Sequence, residues 1–377
     1  MDENNFIIND NCLLKIDLNR IGQNYKKIQK YISKNSEISA VLKSNAYGLG
    51  LKNIAKKLIK IGCKSFFLNT LKEALYLRKI CPDLDIYLLN GLVNINCKDM
   101  EEVVDKNIIP VINSSEELEK LVKFKKSHDD CISISLHFDT GINRLGIRQN
   151  ELANIKDTCK KNHVKVKCVM SHLIASDEET ILNKEQKNKF DEIVKNFPNA
   201  IWSISNSNAI INDKSMNYGM VRSGGNIFGV TSDDFIQSFC LYSRVLQVAK
   251  ADKHLNHFGY NSTFKSTKLK RIAILGFGYG DGYPRLLSNR GEVFFKERLS
   301  IIGTISMDYT IVDISTLDAD QIKVGDWVLH TNVQVGKFEP AYQCTDITED
   351  GKLFTVVQTE GCYQHKMTVD KRKLKRL

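Results

Sequence analysis

A chain of 377 residues, 42% hydrophobic and 26% charged, can bury one large core and a smaller second one. No long uncharged apolar run occurs, and the opening MDENNFIINDNCLLKIDL lacks a cationic stretch followed by an apolar one; neither membrane spanning nor secretion is indicated, and a cytoplasmic enzyme is expected. Ten cysteines without CxxC pairs or histidine partners argue against disulfides or a metal centre, and the net charge of +10 comes mostly from lysines interleaved with Glu and Asp, which describes solvated helix faces rather than a nucleic-acid surface.

Leu13 to Leu18 reads as a strand, and Asn19 as the cap of a helix with Ile21, Tyr25, Ile28 and Ile32 on one face. Ile38 to Leu42 is the next apolar run, stopped by Lys43 and the turn residues Ser44-Asn45-Ala46-Tyr47-Gly48. A helix is expected near Asn53 to Ile61, strands at Ser65 to Asn69, Ile86 to Asn90 and Ile108 to Ile112, and a helix through Glu116 to Lys126. Strands follow at Ile132 to Phe138 and Val164 to Met170, then a helix through Lys184 to Phe197 and strands at Ile201 to Ser205 and Tyr218 to Val221. Counted from Ile38, eight strands separated by helical segments predict a (β/α)8 TIM barrel.

The pattern changes near Cys240. Short apolar runs at Leu241 to Val248, Ile272 to Leu275, Val293 to Phe295, Ile301 to Ile305, Tyr309 to Ile314 and Trp327 to His330, with turn residues between them, predict a mostly β domain. The expected domains are 12–238 for the barrel and 239–377 for the β domain, with segment 1–18 able to join the latter. The basic run Lys371 to Arg376 reads as a solvated terminus.

In a barrel, the residues that follow each strand share one mouth. Lys43 ends the first strand, where it is either a surface lysine or, held partly out of water, an amine nucleophile. Arg144 follows the fifth, suited to a bidentate carboxylate contact or to an ion pair with Asp139. His172 follows the sixth, as a core residue or a site residue; Ser207 follows the seventh, and Arg222 with Gly224-Gly225 the eighth, where barrels favour phosphate.

Lys43-Ser-Asn-Ala-Tyr47-Gly48 resembles the pyridoxal-phosphate attachment site of alanine racemases. The strings DTGINRLGI, SHLIASDE, NSNAII and MVRSGGNIFGV, and in the second half Gly259 to Phe264, Gly278 to Arg285 and Gly303 to Asp308, occur in that family's order. The resemblance implies pyridoxal 5'-phosphate as cofactor, an amino acid as substrate, and a homodimer with shared active sites. It makes Lys43 the attachment lysine and one catalytic base, and Tyr260, from the partner subunit, the other. It places Arg222 at the pyridine nitrogen, His172 between Arg222 and Tyr260, Tyr47, Ser207 and Gly224 at the phosphate, and Arg144 with the Met307 backbone at the substrate carboxylate. The implied activity is interconversion of L- and D-alanine by two bases, supplying D-alanine for peptidoglycan. A serine or broad-specificity racemase, or a PLP-binding barrel without turnover, are the alternatives.

Racemisation needs proton transfer at Cα on both faces, hence two flanking bases. A tyrosine is a poor base at neutral pH unless positive charge favours its phenolate, which a His172 to Arg222 chain would supply. Three departures stand out. His137 replaces the family's frequent, often carboxylated, lysine behind the residue matched by Arg144. Ser203 replaces a histidine behind Arg222, and the end of the chain lacks the usual phosphate-binding tyrosine segment, for which Tyr342 and Tyr363 are candidates.

Overall fold

The computed structural model describes residues 11–128, 132–251, 256–330, 345–347 and 352–356, and the chain forms two compact units. One gathers Arg20–Ala46 and Leu51–Gln237; the other gathers the chain start up to Asn19, Tyr47–Gly50 and the chain from Ser238 onward. Tyr342, Tyr363 and the basic run at 371–376 lie outside the described residues.

The first strand, β1 (Cys12–Asp17), belongs to the second unit. The first unit's strands are β2 (Glu37–Val41), β3 (Ser65–Leu68), β4 (Asp85–Leu88), β5 (Ile109–Ile112), β6 (Ser133–His137), β7 (Lys165–Met170), β8 (Ile201–Ser203) and β9 (Met220–Ser223). All pair in parallel, in the order β8-β7-β6-β5-β4-β3-β2-β9. Because β9 pairs with β2, the sheet wraps into the expected barrel, open only at the β8–β9 seam. Its strands are buried on both faces, which is why SFFL and IPVI read as unbroken apolar runs. Inside the barrel Phe67, Tyr87, Ile109, Val111, Cys168, Met170 and Met220 pack together, the Phe67 and Tyr87 rings stacked at 4.4 Å. A larger layer that includes Leu118, Leu121, Ile155, Phe190 and Ile193 seals helices against strands.

Some expected boundaries move. The helix Leu18–Ile28 already contains Asn19, and the cap is Asp17, whose Oδ1 accepts the Asn19 N–H at 2.9 Å. The helix expected near Asn53 spans Leu51–Lys60, and the last barrel strand starts at Met220 rather than Tyr218. Helices Leu71–Arg78, Cys97–Asp105 and Leu152–Lys161 occupy connections that had only a general helical expectation.

The second unit is an antiparallel sheet built from β1, β10 (Phe239–Lys250), β13 (Arg271–Leu275), β14 (Glu292–Phe295), β15 (Glu297–Ser300), β16 (Thr310–Asp313), β17 (Trp327–His330), β18 (Thr345–Ile347) and β19 (Lys352–Val356). Apart stands the small ladder β11 (His257–Phe258) with β12 (Phe264–Lys265). The long β10 is the axis, pairing with β1, β13 and β17. The strand expected at Ile301 to Ile305 is reduced to one bridge, Ile301 to Val312, and the chain then runs as an irregular loop. No helix among the described residues is long and apolar enough to cross a membrane.

Candidate active site

At the C-terminal end of β2 the chain makes an unusual turn. Ser44, Asn45, Ala46 and Tyr47 all take left-handed φ values of 55, 54, 55 and 59°. Each such non-glycine residue costs about 1–2 kcal/mol, so the turn must be over-determined by its surroundings. Glu73 Oε1 accepts the Asn45 N–H at 2.9 Å, the Asn45 Oδ1 accepts the Leu51 N–H at 2.9 Å, and Ala46 N–H reaches the Leu42 carbonyl at 2.8 Å. Sequence reasoning passed over Glu73, although Thr70-Leu-Lys-Glu73 has the spacing of a capping box and Glu73 does cap its own helix. Lys43, half-buried at the head of this turn, has its ammonium form disfavoured by burial and then by the Arg144 charge, with Glu73 opposing; its pKa is lowered. At the other end of the turn, burial pushes the Tyr47 phenol up to about 12.

Arg222 on β9 is 4% exposed and anchored mainly by backbone. Nη1 donates to the Ser203 carbonyl at 2.8 Å and to Ser203 Oγ at 2.6 Å; Nη2 donates to the Ser171 carbonyl at 2.5 Å and the Ile204 carbonyl at 3.4 Å. Ser203 thus supports Arg222 with its own hydroxyl, and Nε makes no hydrogen bond among the described residues. No bond joins Arg222 to the His172 ring. Burial pulls the guanidinium down to about 10, so it stays charged at neutral pH.

His137, 6% exposed at the end of β6, meets Asn113 Oδ1 through Nδ1 at 2.8 Å. Asn113 Nδ2 already donates to the Leu89 and Val111 carbonyls, so its Oδ1 is an acceptor and the His137 proton sits on Nδ1. Nε2 is therefore a buried acceptor without a partner among the described residues. Burial, then Arg222 and Arg144, lower the His137 pKa to about 4, and burial with Arg222, Arg144, His137 and Lys43 lowers that of His172 to about 3. Both imidazoles are neutral at physiological pH.

The Asp139 carboxylate does not take Arg144. Its Oδ1 accepts the N–H groups of Gly141 and Asn143 at 2.9 and 3.2 Å, and its Oδ2 pairs with Arg148 at 2.5 Å. Burial opposes Asp139 ionisation, but those two N–H groups and the Arg148 charge prevail and its pKa is lowered. Arg144 remains exposed without a hydrogen bond or ion pair among the described residues. Ser207 caps the mouth elsewhere: its Oγ accepts the Gly224 N–H at 3.1 Å, which leaves the hydroxyl proton for another acceptor. Lys43, Arg144, His172, Ser207, Arg222 and Gly224 are all carried by the barrel unit, on the loops or strand ends at its C-terminal face.

The second unit presents Tyr260 and Met307. Gly259, at φ 72°, packs so closely on the loop below that a Cβ would lie 2.2 Å from Thr304 N, and Tyr260 projects from this turn 58% exposed. Its carbonyl accepts Thr304 Oγ1 at 3.3 Å. The Gly278 to Arg285 segment is clamped on the Ser306-Met307 segment by Tyr279 N–H to Ser306 O at 3.0 Å and Gly280 N–H to Met307 O at 2.7 Å. A Cβ on Gly278 would sit 2.3 Å from Ser306 O, so only glycine permits this approach. The Met307 N–H itself makes no hydrogen bond among the described residues.

Sequence profiles agree with this division: that of the alanine racemase N-terminal domain matches residues 16–232 and that of the C-terminal domain residues 239–349. The chain belongs to the alanine racemase family. The alanine racemase of Rickettsia akari is 35% identical over 318 residues, covering 83% of this chain and 88% of the relative; that of Rickettsia typhi is 30% identical over 366 residues, covering 84% and 90%. A solved alanine racemase from Bartonella henselae, with covalently bound pyridoxal phosphate, is 31% identical with a TM-score of 0.79 and coverage of 86% of this chain and 91% of that one. The biosynthetic alanine racemase of Pseudomonas aeruginosa, 24% identical with a TM-score of 0.78 over 88% and 93%, shares the fold.

Proposed function

We propose that this protein is a pyridoxal 5'-phosphate-dependent alanine racemase, in which Lys43 and Tyr260 are the two bases. The observation that carries the reading is the mouth of the barrel, where a half-buried Lys43 with a weakened hold on its proton shares one positively charged site with Arg222. The donor set suits a planar phosphorylated aldehyde: an amine to attack the carbonyl, a spare Arg222 Nε–H for a ring nitrogen, and the Ser207 and Gly224 groups for a dianion. Tyr47 would close the phosphate contact.

When bound, pyridoxal phosphate would supply the electron withdrawal that makes the substrate Cα proton removable. Lys43 Nζ takes or returns that proton on one face, and the Tyr260 phenol oxygen on the other. Arg222 would hold the ring nitrogen and, as a guanidinium, would keep its own proton, which would moderate the electron withdrawal and restrain side reactions at Cα. The neutral His172 adds no charge beside Arg144, so the Arg144 guanidinium and the Met307 N–H receive the substrate carboxylate. Tyr260, exposed on its turn, is completed by a second copy of the chain in a homodimer with shared sites. The enzyme would work in the cytoplasm and provide D-alanine for peptidoglycan.

The test is direct. Purified protein loaded with pyridoxal phosphate is assayed for L-alanine to D-alanine conversion beside L-serine, in wild type and Lys43→Ala. Conversion of alanine that disappears with Lys43→Ala supports the reading, and the serine arm ranks the substrates. A protein that binds the cofactor but converts neither amino acid removes the activity, and one that binds no cofactor removes the whole assignment.

A further inference from the structure

The helix Ile181–Val194 turns a stripe of Asn183, Gln186, Phe190, Ile193 and Val194 inward, and Gln186 at 2% exposure is the member whose bonds reach two site segments. Its Nε2 donates to Thr140 Oγ1 at 3.2 Å and to the His172 carbonyl at 3.0 Å, while Oε1 accepts the Ile174 N–H at 2.8 Å. Thr140 Oγ1 in turn lies 2.7 Å from Ser171 Oγ, and the Ser171 carbonyl is the 2.5 Å acceptor of Arg222 Nη2. One amide thus ties the loop that begins at Asp139 and carries Arg144 to the segment that carries His172, and both to the anchor of Arg222.

We propose that Gln186 is a positioning residue for the racemase site, fixing the spacing between Arg144, His172 and Arg222 from outside the barrel. The inference rests on the reading of that mouth as the alanine site. A packing role alone would be met by leucine or methionine, which fill a helix–barrel interface without ordering three separate polar groups; here the His172 carbonyl and the Ile174 N–H make no other hydrogen bond among the described residues, and the Thr140 hydroxyl, which also meets Ser171 Oγ, gains a second partner. The turn after Lys43 is held by Glu73 and not by this network, so loosening Gln186 leaves the attachment lysine in place.

The experiment uses the holoenzyme with Gln186→Met, Thr140→Val and Thr140→Ser. Amide hydrogen exchange in Gln186→Met is expected to rise together in 139–148 and 171–175 and to stay unchanged in 43–51. Kinetics are expected to show KM for L-alanine about tenfold higher with kcat changed less than about threefold, as loosened positioning rather than lost chemistry predicts. Thr140→Val should reproduce part of the KM effect with Gln186 intact, and Thr140→Ser should restore it. Exchange that rises in one segment only or in neither, or Thr140→Val and Thr140→Ser with equal KM, overturns the proposal. Should the wild type prove inactive on every amino acid, the functional reading falls, while the exchange result still decides whether Gln186 couples the two loops.

Discussion

The barrel mouth and the Tyr260-Met307 region build their sites in opposite ways. In the mouth, several candidate side chains are sunk into the protein and tied to named partners, Arg222 by four acceptors, His137 by Asn113 and the Lys43 turn by Glu73, while Arg144 stands exposed. In the second unit backbone-to-backbone bonds clamp Gly278 to Arg285 on Ser306-Met307, the Thr304 hydroxyl holds the Tyr260 carbonyl, and what the frame offers outward is an exposed phenol and one uncommitted N–H. The first arrangement can set charge and orientation alone; the second supplies precise placement to whatever surface it meets. On the proposed reading, the difference makes cofactor capture and two-sided proton transfer separable by experiment.

The most severe break in that comparison is Lys43→Ala. It is expected to lower racemisation by about 10³-fold or more and to abolish the absorbance of covalently attached cofactor, because base and attachment point disappear together. Tyr260→Phe should act on one property only, reducing kcat by about 10²-fold while the cofactor spectrum stays that of wild type. Dilution until the protein is monomeric should remove activity in the same way, read by turnover beside sedimentation. Specific activity that stays constant through dissociation would place both bases in one subunit and erase the distinction.

The sequence revealed the mouth better than its support, and the reason is geometrical. A parallel barrel delivers every strand end to one face, so residues after apolar runs could be assigned to a shared site without knowing any contact. Support depends on which atoms meet. Asp139 stands near two arginines in sequence, and the turn through Gly141 and Asn143 closes on its carboxylate so that Arg148, not Arg144, reaches it. The helix Leu71–Arg78 stayed undefined for a related reason. Its Arg78, which the sequence did not single out, is buried and donates to the carbonyls of Cys81, Pro82, Leu84, Lys106 and Asn107. Gln186 did leave a trace, as one of two polar residues, with Asn183, on the buried stripe of its helix.

Each unit also contains a buried neutral histidine, and acid should expose both. Burial lowers the pKa of His330 in the second unit to about 3, and burial with Arg222 lowers that of His137 to about 4. In the unfolded chain the same imidazoles protonate near 6.5. Between about 6.5 and these folded values the unfolded state binds more protons, so stability is complete above about 6.5 and declines as pH falls toward 3. One such group is worth roughly 3–5 kcal/mol at full effect. Denaturant unfolding at a series of pH values checks this, with His137→Gln expected to flatten the acid limb of the barrel's contribution. An unchanged slope in that variant would mean His137 accepts its proton in the folded state.

The smallest expected effect bears on whether the mouth is really a side-chain construction. Ser203→Ala removes the 2.6 Å hydroxyl contact of Arg222 but leaves the carbonyls of Ser203, Ser171 and Ile204 in place. A hydrogen bond to a charged donor contributes about 1.5 kcal/mol, and a loss of that size in unfolding free energy is expected. Because three backbone acceptors still fix the guanidinium plane, kcat and cofactor affinity should each change by less than about threefold. Titration of the cofactor beside chemical denaturation separates the two readouts. If stability falls as expected and function holds, the orientation of Arg222 is set by backbone carbonyls, as the Met307 backbone is fixed by the Gly280 N–H, and the two regions differ in burial more than in principle. If cofactor affinity falls by tenfold or more, the Ser203 hydroxyl is what aims Arg222.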